Sequence, residues 1–87
     1  MYRGELVITM LRDDDTTEVV QAFMPISDPE DDNVVAEVVI DFVMKNMDEA
    51  GDVVSGVATL DIAEAGLSYE FGYTLREDGE WEHQARH

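Results

Sequence analysis

Four polar residues at four-residue intervals, Asn33, Glu37, Asp41 and Lys45, interrupt an otherwise apolar run and constrain what that run can become. The residues between them (Val34, Val35, Ala36, Val38, Val39, Ile40, Phe42 and Val43) are so rich in β-branched side chains that propensity alone suggests a buried strand. The four-residue spacing decides for a helix, which collects the polar four on a single face. Asp41 and Lys45 also form a favourable i,i+4 pair with the acid first.

The start signals agree with a helix. Ser27 and Glu30 have capping-box spacing, and Asp28 before Pro29 offers a second cap one residue later. Gly51 supplies the stop. The roughly 22 residues between these signals would span about 33 Å at about 1.5 Å per residue. Val34, Val38, Phe42, Val35 and Val39 form one stripe, and Ala36, Ile40, Val43, Met44 and Met47 extend it well beyond the ~100° that a helix needs to rest on one sheet. Such an arc implies a helix sunk in a groove of a strongly twisted sheet, or one whose surplus strip, with its adaptable methionines, packs against a second copy or a partner.

Patterning before and after the helix has period two. Leu6, Ile8 and Met10 alternate with Val7, Thr9 and Leu11, the run Asp13-Asp14-Asp15 closes a hairpin, and Thr16 to Met24 returns until Pro25 ends the strand. A three-residue loop pairs Ile8 with Val20 and Leu6 with Ala22, although Val19 and Phe23 make the opposite face of the returning strand nearly as apolar. Beyond Gly51, Val54, Ala58, Leu60 and Ile62 face one way and Ser55, Thr59 and Asp61 the other, with Gly56 marking a bulge or a close backbone approach. A turn over Ala63 to Gly66 leads into Leu67, Tyr69, Phe71, Tyr73 and Leu75, pairing Ile62 with Leu67, Leu60 with Tyr69 and Ala58 with Phe71. Glu77-Asp78-Gly79 is best read as a three-residue turn with Gly79 left-handed. It sets Trp81 opposite Leu75, His83 opposite Tyr73, and Arg76 opposite Glu80 as a cross-strand ion pair. The expected fold is α+β, an antiparallel sheet of about five strands with one long helix on one face, the helix falling between the second and third strands. Eighty-seven residues make one domain, with a core that is only just adequate in size.

Charge bounds the function. Twenty-one acids against five bases give a formal net charge of −16, and Lys45 is the one lysine. That field argues against nucleic acid or an anionic membrane as partner and for a cationic one. No cysteine is present, which removes disulfides and thiolate metal sites. No stretch has the length of a membrane span, and Met1 to Leu11 is interrupted by Glu5 and lacks the shape of a signal peptide, so a soluble, cytoplasmic protein is expected.

Catalytic patterns are weak. Trp81 and His83 with Tyr69, Phe71 and Tyr73 read as an aromatic ladder in a small core before they read as a ligand site, and His83 has no nucleophile or orienting carboxylate on its face. His87 is terminal. Neither acidic run has the spacing and central glycine of a calcium loop, and acids in a first helical turn are favoured by the helix dipole without any metal. The expectation is a protein that is not an enzyme and holds no cofactor or metal.

What remains is binding. Duplex DNA carries one negative charge per ~1.7 Å of axis, so sixteen excess charges match about 27 Å of duplex. The function expected is therefore inhibition or sequestration of a basic nucleic-acid-binding protein by mimicry of phosphate charge, as a phage-type anti-defence inhibitor would do. The carboxylates expected to carry it are Asp13, Asp14, Asp15, Asp28, Glu30, Asp31 and Asp32, extended by Asp61, Glu70 and Glu80 if the outer sheet face is open. Two rivals are an immunity or antitoxin-type protein plugging one basic toxin site, and a halophilic domain whose charge serves only solubility. A homodimer is expected from the wide apolar arc of the helix.

Overall fold

A computed structural model describes residues 1–86, and His87 lies outside the described residues. The chain runs β1 (Tyr2–Arg12), β2 (Thr17–Ile26), α1 (Asp32–Ala50), β3 (Val53–Ile62), a single 3-10 turn (Ala63–Ala65), β4 (Leu67–Leu75) and β5 (Trp81–Arg86). The strands form one antiparallel sheet in the order β2-β1-β3-β4-β5, so α1 carries the chain from the β2 edge back across to the free side of β1. The class and order along the chain are those the pattern predicts.

The registers read from turn length hold. Leu6 faces Ala22 and Ile8 faces Val20; Ile62, Leu60 and Ala58 face Leu67, Tyr69 and Phe71; Leu75 and Tyr73 face Trp81 and His83. Gly79 is left-handed at φ 86°, as the three-residue turn requires.

Four local expectations are corrected. The helix begins at Asp32, about one turn later than Ser27 or Asp28 would start it, and its cap is Asp31, whose carboxylate accepts from Asn33 N (3.0 Å) and Val34 N (3.4 Å). The reason is tertiary: the Tyr69 hydroxyl donates to the carbonyl of buried Pro29 (2.5 Å), holding that segment as a turn. β2 runs through Pro25 to Ile26, because a proline without N–H is tolerated on an edge strand. Val53 is buried where Val54 was expected, since the pairing slips by one residue between Leu11 and Arg12. Arg76 meets Glu80 through the backbone (N to O, 2.8 Å), while its guanidinium pairs with Asp78 at 3.5 Å.

The core lies between the inner sheet face and the spine Val35, Val39, Val43 and Met47, one residue per turn of α1, each stabilising by roughly 1.5–3 kcal/mol when fully buried. Val38 and Phe42 on one flank and Ala36, Ile40 and Met44 on the other are half-buried against this core, and Val34 is half-buried in the first turn of the helix. The sheet thus covers the arc only in part, and a strip of half-buried apolar side chains remains along each flank of α1. Met47 fits because β3 has Gly56 beneath it: a Cβ there would come within 2.6 Å of the methionine's terminal methyl and 3.1 Å of the Thr9 carbonyl.

Candidate protein-binding surface

No Asp or Glu is buried; all of them are exposed except Asp52, which is half-buried. Their placement follows from the two ends of α1. At its C-terminal end, Gly51 at φ 77° turns the chain into Asp52, and the Asp13 N–H donates to the Asp52 carbonyl (2.9 Å). Arg12 fastens this junction, its Nη1 lying 3.2 Å from both Asp52 oxygens and its Nη2 2.8 Å from Glu18. The hydrogen bond to Glu18 is the largest cause holding the Arg12 guanidinium above its ordinary pKa. Antiparallel pairing brings the β4–β5 turn to the same end of the sheet, about 14 Å away across three strand spacings. Asp13, Asp14, Asp15 and Glu80 therefore share one end of the molecule, together with Glu77, Asp78 and the last-turn acids Asp48 and Glu49.

Asp28, Glu30, Asp31 and Asp32 sit at the other end. The helix separating the two groups is 19 residues, about 28 Å long. The second group surrounds Tyr69, whose hydroxyl is pushed above its ordinary pKa first by burial and then by the charges of Asp32, Glu30 and Asp28. Asp61 and Glu70 lie on the outer sheet face, away from the helix; Asp61 accepts from the Ser68 hydroxyl (2.9 Å). The ten expected carboxylates are thus distributed over two poles and one face. Sequence reading missed the solvent ridge of α1, where exposed Glu37 and Asp41 lie between the poles. The four-residue spacing that marked the helix was the signal for it.

The aromatic ladder forms on the inner face: Tyr69 and Phe71 stack with centroids 6.4 Å apart and Tyr73 and His83 at 6.3 Å. Tyr73 is buried and its hydroxyl has no hydrogen-bond partner among the described residues; burial raises its pKa. Among the described residues no three His, Asp or Glu side chains converge as a metal site, and no helix is long and apolar enough to cross a membrane.

No protein-family model, characterised protein or solved structure matches this chain.

Proposed function

We propose that this chain is an acidic binding module that occupies the nucleic-acid site of a basic protein and so inhibits or sequesters it. The observation that carries the reading is the wholesale exposure of the carboxylates over both poles and along the helix ridge, with salt bridges among the described residues confined to Arg12 with Glu18 and Asp52 and to Arg76 with Asp78. The molecule is 38 Å long. Over that length duplex DNA carries about 22 charges at one per ~1.7 Å, against a net −16 here. The densities are comparable, so a groove that tracks a phosphate backbone would meet a similar field. The separation of the poles favours an extended groove over a single toxin pocket.

The test is affinity capture from the source cells at low salt, followed by competition with duplex DNA. The expected partner is basic, binds nucleic acid, and is displaced by DNA and by salt. Replacing Asp13, Asp14, Asp15, Asp28, Glu30, Asp31 and Asp32 by their amides should abolish retention while sparing the fold, because Asn keeps the turn and cap acceptors at positions 14 and 31. A partner indifferent to DNA and to those changes would refute mimicry. Folding that needs molar salt, with nothing basic retained, would assign the charge to solubility.

A further inference from the structure

One broad surface of this acidic chain carries no net charge. The outward positions of β1 are Arg3, Glu5, Val7, Thr9 and Leu11, and those of β2 are Thr17, Val19, Gln21, Phe23 and Pro25, so a single arginine balances a single glutamate. The same face displays the largest exposed apolar side chains of the sheet: Val19 and Phe23 are each 60% exposed and Val57 on β3 is 40% exposed. The guanidinium carbon of Arg3 lies over the Phe23 ring, 4.0 Å from its centre. Together these make a ridge along β2. On β4 the outward position Gly72 has no side chain, and an open groove of about 400 Å³ runs there between Thr9, Ser55, Val57 and Thr74.

We propose that this face binds a second copy of the chain, outer sheet against outer sheet. Three observations select a second copy. First, charge: a basic partner is drawn to the acidic poles and helix ridge, whereas the two outer rows nearest the β1–β2 turn, Val19-Thr9-Val57-Gly72 and Thr17-Leu11-Ser55-Thr74, carry no charged residue. Second, shape: Val19 faces Thr9, Thr9 faces Val57 and Val57 faces Gly72, so these four form one row across the sheet. A two-fold axis parallel to the strands, between β1 and β3, exchanges β2 with β4 and sets the Val19 ridge of each copy over the Gly72 hollow of the other, with Thr9 over Val57. Third, area: the four strands that overlap about this axis, about 4.8 Å apart and about 30 Å long, give roughly 580 Å² per copy, or about 1,150 Å² in total, the size of a weak but specific interface. Aligned sheets pack in this way at about 10 Å separation.

The same axis sets Glu5 over Asp61, which pair across β1 and β3, and brings Glu70 of β4 into the contact over Gln21. Their repulsion, added to that of two copies each of charge −16, makes the dimer weak in dilute buffer. The helices and acidic poles stay outside, so the contact is independent of the binding reading above.

Sedimentation of the full chain at tens of micromolar is the test. The dimer should be at least about tenfold tighter in ~1 M than in ~0.1 M salt, where the screening length rises from about 3 to about 10 Å. Val57→Glu, on an interior strand, should leave only monomer at both salts with an unchanged melt. If that variant melts early, Thr9→Glu, at an exposed polar position in the same row, is read instead. Wild-type chain that stays monomeric at both salts overturns the proposal. So does a dimer that survives these variants, which would place the contact at the β2 edge or on the helix.

Discussion

The turn of the β1–β2 hairpin and the turn of the β4–β5 hairpin are one device written in two sequences. In the first, Arg12 N donates to Thr16 O (2.9 Å), Asp15 N to Arg12 O (3.1 Å), and Asp14 accepts from Thr16 N (3.0 Å). In the second, Arg76 N donates to Glu80 O (2.8 Å), Gly79 N to Arg76 O (3.0 Å), and Asp78 accepts from Glu80 N (3.0 Å). The third residue is left-handed in both, Asp15 at φ 68° and Gly79 at φ 86°. The turn therefore needs its middle aspartate and a residue that tolerates positive φ, for which glycine is the ordinary choice. It needs neither Asp13 nor Asp15. At the opposite pole the cap likewise needs Asp31 but not the side chains of Asp28 or Glu30. These four surplus acids are where charge exceeds what folding requires, and they are the first positions to neutralise when binding is tested.

The hairpins differ most in where their aromatic side chains point, and the largest expected effect tests that difference. Phe71 of β4 is 4% exposed on the inner face, while Phe23 of β2 stands on the outer one. Phe71→Ala should cost about 3–5 kcal/mol in a denaturant melt, a large share of the ~5–15 kcal/mol available to such a domain. Phe23→Ala should cost under about 1 kcal/mol, chiefly its contact with Arg3. Equal losses would mean that the two faces are not what the registers make them.

Those registers were legible because local chemistry sets them. Turn length and period-two alternation together pair Leu6 with Ala22, Ile8 with Val20, Leu60 with Tyr69 and Ala58 with Phe71, and those pairings are observed. The errors fall where a distant residue decides. Ser27 and Asp28 both carry respectable cap signals, but Tyr69, forty residues from Pro29, takes the Pro29 carbonyl and delays the helix. Val54 lost its inward place to a slip against β1, a strand separated from it by the whole helix. Strand order has no local signature at all, and with it went any view of which acids share a pole. The apolar outer face was half visible, in Val19 and Phe23; that Val57 and Gly72 complete its row depends on β1 lying next to β3.

Exchanging the third turn residues sharpens the comparison at a scale of about 1 kcal/mol. Gly79→Asp should destabilise by roughly 0.5–1 kcal/mol, because a side chain is forced into the left-handed region. Asp15→Gly should stabilise by a similar or smaller amount, strain relief being partly offset by the freer unfolded chain. Screening separates backbone from charge: the gain at Asp15 should shrink between ~0.05 M and ~1 M salt as repulsion within the acidic pole is damped. An Asp15→Gly gain independent of salt would show that the surplus acid burdens the fold through its backbone alone.

The smallest effect concerns the one polar feature the turns do not share. Asp14 accepts both the Thr16 amide and the Thr16 hydroxyl, the latter at 2.6 Å, whereas the residue after the other turn is Glu80 and brings an amide alone. The Thr16 hydroxyl, and then its amide, hold the Asp14 carboxyl below its ordinary pKa. A carboxylate depressed in the folded state stabilises above its unfolded value, about 3.9, and that contribution is lost as the pH falls through the lower folded value. Thr16→Val removes the hydroxyl and leaves the amide. It should move the Asp14 titration upward when followed by carboxyl NMR, and make the hairpin less stable than wild type at neutral pH. That deficit should vanish below the folded pKa, where Asp14 is protonated in both proteins. An Asp14 titration unmoved by Thr16→Val would show that the amide alone sets it, and the two turns would then be electrostatically as well as geometrically the same.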